Sequence, residues 1–148
     1  MMLYLDNAAT TLKKPLSVYA TLFKSTLFSG GNAGRGGHKM SMDAVRAIVD
    51  TQDLIAQLFN IKKAENIVFT QNATYALNTA ILGTMSNGGH IVVTEMDHNS
   101  VLRPACLPDN YTVVKADKSG YVHAEDIEKA VRKDTKLIVC THASNVCG

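Results

Sequence analysis

Three short polar clusters hold the residue types that chemistry needs: Gln71-Asn72-Ala73-Thr74, Glu95-Met96-Asp97-His98 and His142-Ala143-Ser144-Asn145. Each follows an apolar run, and in an open α/β sheet ligands collect beyond the carboxyl ends of the strands. Asn72 reads as a helix cap. The amides of Ala73 and Thr74 then point outward with the Thr74 hydroxyl, a setting for an anion such as a phosphate. An ordinary cap with no ligand is the other reading. His98 lies in a segment too polar for a core; its imidazole can stack on an aromatic cofactor and move protons near neutrality, or sit at the surface. Asn145 offers an amide hydrogen to a ligand oxygen, or forms a turn. Arg35 and His38, in a glycine-rich loop, suit a substrate carboxylate, a neighbouring subunit, or plain solvent. Lys39 has nothing around it that points to the burial or lowered pKa of a Schiff-base lysine. The five histidines show neither HxH nor HExxH spacing, so no metal site is expected.

Elements must bring these clusters together. An extended arm over 1–11 leads into a helix over 15–28, with Leu16, Ala20, Phe23 and Leu27 at helical spacing. A glycine-rich loop over 29–41 follows, and Ser41 is expected to cap a second helix over 42–59. From residue 66 the rhythm becomes strand and helix in alternation. Strands are predicted at 67–70, 90–94, 111–115 and 136–141. Between them come a helix after Asn72, a helical turn over 99–106, and a helix over 124–133. Strands separated by helices mean an α/β fold with a mostly parallel sheet covered on both faces. The expected division is 1–65 for the arm, helices and loop, and 66–148 for the α/β part.

A chain of 148 residues, 46% hydrophobic and 19% charged, is long enough for a real core. Its net charge of +2 gives no surface for nucleic acid, and no apolar run approaches a membrane span. The start lacks the regions of a signal peptide, and Cys106, Cys140 and Cys147 form no CxxC pair, so a cytoplasmic location is expected. Nucleotide fingerprints are absent: neither GxGxxG nor a Walker-type GxxxxGK run occurs.

Five blocks resemble one family. Tyr4-Leu-Asp-Asn-Ala-Ala-Thr-Thr11 is similar to the N-terminal signature of cysteine desulfurases and selenocysteine lyases, in the class V aminotransferase group. Gly31-Asn-Ala-Gly-Arg-Gly-Gly-His38, Val68–Asn78, Asp97–Pro104 and Thr141–Gly148 resemble further blocks, in the family's order. The resemblance implies the N-terminal part of a fold-type I pyridoxal 5'-phosphate (PLP) enzyme, normally a homodimer. Such an enzyme takes sulfur or selenium from a cysteine-type amino acid to give alanine, with a sulfur-acceptor protein as a further partner. A class V aminotransferase on the same scaffold, or a non-catalytic truncated binding chain, is the alternative. Residue by residue, it gives Asn72, Ala73 and Thr74 to the cofactor phosphate, and His98 to the pyridine ring and proton transfer. Asn145 goes to the phenolic oxygen, Asn7 and Ala8 to the substrate entrance, and Arg35 and His38 to the site or dimer contact. Asp97 stands where the family usually has glutamate. The family's aspartate, Schiff-base lysine and nucleophilic cysteine come later than Gly148. The chain alone is therefore expected to be inactive, to form no Schiff base, and to self-associate or rearrange its first strand.

Overall fold

The computed structural model describes residues 3–28, 30–34, 36–144 and 146, so the expected site residues Arg35 and Asn145 lie outside the described residues. The chain divides into two units, Met1–Val68 and Phe69–Gly148. The first holds α1 (Leu16–Phe28), α2 (Lys39–Leu58) and a 3-10 turn at Ala64–Asn66. Ser41 does not cap α2. His38 does so, accepting the Ser41 amide on its side chain, and the helix starts earlier than expected as a result. Ser41 instead lies fully buried one turn in, its hydroxyl donating to the carbonyls of Asn32 (2.7 Å) and Gly36 (2.9 Å). The loop packs against α2 so closely that a Cβ at Gly31 would fall 2.3 Å from the Met40 backbone; only glycine fits.

The strand expected at 67–70 is absent. That segment is extended but has no ladder partner among the described residues. The Ile67 carbonyl accepts from the Gln52 side-chain amide at 2.7 Å, a bond that replaces a strand neighbour.

In the second unit, α3 (Ala73–Met85), β1 (His90–Thr94), α4 (Asn99–Cys106), β2 (Tyr111–Val114), α5 (Ala124–Ala130) and β3 (Thr135–Ile138) follow in order. The sheet is parallel, in the order β2-β1-β3. All five β1 residues are buried, as an apolar central strand requires. Ile91 and Val93 share one face and meet Ile81 and Met85 of α3 and Val101 and Ala105 of α4. Burying such side chains contributes about 1.5–3 kcal/mol each. Several elements end earlier than expected, among them β2 at Val114, α5 at Ala130 and β3, which spans Thr135–Ile138 and not 136–141. The helix α5 stops at Ala130 because Val131 turns extended and the Arg132 amide goes to the Thr135 hydroxyl. β3 alternates between half-buried and exposed residues, with Ile138 45% exposed, so the sheet is not covered on both faces there. No described helix is long and apolar enough to cross a membrane.

His90 opens β1 fully buried, its ring nitrogens 2.8 Å from the Thr135 hydroxyl and 2.9 Å from that of Thr112. Burial pushes its pKa down, the Arg132 charge adds to this, and Asp134 opposes it. The folded state therefore binds fewer protons than the unfolded chain below the ordinary imidazole value of about 6.5. This contribution to stability is complete above that value and is lost as pH falls toward the folded pKa. Urea midpoints should drop as pH falls below about 6.5, and His90→Gln should flatten that step. A step unchanged by the substitution would place the acid sensitivity elsewhere.

Candidate functional site

At the start of α3, Asn72 uses both its oxygens. Its side chain accepts the Tyr75 amide at 2.8 Å, and its carbonyl accepts the Ala76 amide at 3.1 Å. Of the four amides that open a helix, those of Ala73 and Thr74 have no partner among the described residues, with the positive end of the helix dipole behind them. The Thr74 hydroxyl also has no partner among the described residues. Asn78, one turn on, donates to the Thr74 carbonyl (2.8 Å) and the Ser100 carbonyl (3.3 Å), joining the starts of α3 and α4.

His98 caps α4. Its Nδ1 accepts the Ser100 amide at 3.1 Å and lies 2.9 Å from the Ser100 hydroxyl, while its carbonyl takes the Val101 and Leu102 amides. The ring is thus held although exposed, and the hydrogen-bond pattern leaves Nε2 as the nitrogen available to a ligand.

These two helix starts share a cleft of about 340 Å³ lined by Thr74, Asn78, His98, Asn99, Ser100 and Arg103. Its lining holds no carboxylate. The Arg103 guanidinium has neither a hydrogen bond nor an ion pair among the described residues. A cleft at a helix start, with a cation unpaired among the described residues and no acid, favours an anion.

On its other side His98 lines a second cleft of about 330 Å³ with Glu95, Met96, Asp97, Asn99, Ser144 and Val146. The Glu95 carboxyl is held below its ordinary pKa, first by the hydrogen bond from Lys115 (3.0 Å), then by the Ala116 amide and the Lys115 charge. Within the second unit Thr74 and His98 line one cleft, and His98 and Ser144 line the other. Asn7, Ala8 and His38 belong to the first unit. There the Asn7 side chain accepts the Leu12 amide at 3.4 Å, Ala8 is exposed in a turn, and His38 caps α2. Lys39 is exposed as the first residue of α2. Sequence reasoning missed Asn78 and Arg103. The signals were an asparagine one turn after Thr74 and, in Asn99–Cys106, a base with no acidic residue in the same helix.

Residues 3–148 match the family described as Aminotransferase class-V. The chain belongs to that family. It is 34% identical over 154 residues to a protein of Aeropyrum pernix named "Probable cysteine desulfurase", covering 98% of this chain and 37% of that protein. Among solved structures, a NifS-like protein superposes with a TM-score of 0.88 at 25% identity, covering 98% of this chain and 41% of the other. The structure titled "SspA in complex with cysteine" gives a TM-score of 0.86 at 25% identity, over 96% and 42% of the respective chains. The chain thus spans little more than a third of the curated relative's length, and its fold is the N-terminal portion of a fold-type I large domain.

Proposed function

We propose that the full-length protein carrying this chain is a PLP-dependent enzyme that removes sulfur, or selenium, from a cysteine-type amino acid and leaves alanine. One observation carries the reading: Thr74, at the start of α3, shares one acid-free cleft with His98 and Arg103. The similarity to cysteine desulfurases, and to a protein solved with cysteine, supports it.

The residues present fit the cofactor. Its phosphate dianion matches the amides of Ala73 and Thr74 and the Thr74 hydroxyl, with Asn72 fixing the turn that presents them. When bound, PLP supplies an electron sink for bonds around the amino acid's α-carbon. His98 would lie against the ring and could hold or move a proton at Nε2, since Nδ1 is engaged by the Ser100 amide. By resemblance to the family, Asn145 would donate to the cofactor's phenolic oxygen, Asn7 and Ala8 would serve the substrate entrance, and Arg35 and His38 would serve the substrate carboxylate or a second subunit. Homodimerisation and a sulfur-acceptor protein belong to the same proposal.

Titration of the full-length protein with PLP, followed by visible absorbance, should reach one cofactor per chain. Cysteine should then yield alanine and sulfur. Absence of cofactor uptake would overturn the proposal, and a keto acid in place of alanine would make the protein an aminotransferase.

A further inference from the structure

Asp97 is one of the few buried polar side chains, 6% exposed, and none of the roles above uses it. Its carboxylate collects three donors. Oδ2 accepts the Thr94 amide at 2.7 Å and the Thr94 hydroxyl at 2.9 Å. Oδ1 accepts the Thr141 hydroxyl at 2.7 Å. The Asp97 amide in turn donates to the Thr94 carbonyl at 3.1 Å. The Thr94 bonds close the turn from β1 into α4. The Thr141 bond reaches across 44 positions to the segment that leaves β3.

β1 and β3 are parallel neighbours, so their exits leave the sheet at the same edge. His98 is the next residue along one exit, and Ser144 on the other lines a cleft with it. A carboxylate fixed on both exits sets the spacing between them. Untied, two strand exits sample several spacings, and a ligand that needs one of them binds more weakly by the fraction of time that spacing is populated.

We propose that Asp97 is a positioning residue: joined to Thr94 and Thr141, it fixes His98 against the segment leaving β3 and so preorganises the gap beside the His98 ring for the flat ring of the cofactor, whose phosphate goes to the acid-free cleft. This rests on the proposed function, whose own test is the wild-type protein's uptake of PLP.

The test compares Thr141→Val, which keeps the shape and removes the donor, with Thr141→Ser, which restores it, in the full-length protein. The Kd for PLP should rise about tenfold in Thr141→Val and stay within about twofold of wild type in Thr141→Ser. In the cofactor-free protein, hydrogen exchange at the Thr94 and Ser100 amides should quicken only in Thr141→Val. If Thr141→Val does not fold, Thr141→Ala removes the same donor from Asp97 with a smaller side chain and carries the same expectations. A valine variant that melts lower yet binds PLP as tightly as wild type would reduce Asp97 to a purely structural bond and overturn the inference. No uptake by the wild type would instead remove the proposed function and this inference with it.

Discussion

Replacing His98 by alanine in the full-length protein is expected to lower turnover on cysteine by about 10²–10⁴-fold, the range for losing a positioned acid–base group. Alanine also deletes the cap of α4, because Nδ1 is the acceptor for the Ser100 amide. Such a loss costs about 1 kcal/mol of stability. His98→Asn separates the two effects, since an asparagine oxygen is a good acceptor at a helix start while the amide cannot carry the proton. The expected pattern is a lowered melting temperature in the alanine variant only, with turnover lost in both. Asparagine restoring turnover would reduce His98 to a helix cap.

The second large effect is on cofactor affinity. Thr74→Ala removes one unpartnered hydroxyl from the cleft and leaves both free amides in place. A hydrogen bond to a charged acceptor contributes about 1.5–3 kcal/mol, so the Kd for PLP should rise about 10- to 150-fold. Because the Thr74 side chain is exposed and holds nothing else, the unfolding midpoint should stay within about 0.5 kcal/mol of wild type. A variant that binds PLP normally would make the 72–74 junction an ordinary cap. Both tests need only wild-type protein that takes up the cofactor.

Much of the frame was legible in the residues. The strand expected at 90–94 is β1, with Ile91, Val92 and Val93 buried at the centre of the sheet. Asn72 before an alanine- and leucine-bearing run marked the start of α3, and its side chain does take the Tyr75 amide. The family blocks named His98 and Thr74 as residues of one site, and the two do line one cleft. Legibility failed where two local signals competed. Ser41 has the composition of a cap, yet His38 takes that place because the glycine loop folds back and accepts the serine hydroxyl. The run Ile67–Thr70 has strand composition, but a strand exists only with a partner, and Gln52 takes the Ile67 carbonyl.

By itself the sequence determined the helices, three of the four expected strands and the polar clusters at their ends, because periodicity, caps and turns act between residues a few positions apart. Tertiary structure alone decided which ends meet. Asn78 reaches Ser100 across 22 positions and draws the starts of α3 and α4 into one cleft. Asp97 reaches Thr141 across 44 and ties the exits of β1 and β3. Neither pair has a signature in local pattern. Both follow from the parallel register of β1 with β3 and the packing of α3 on α4, which set distances between residues far apart in the chain.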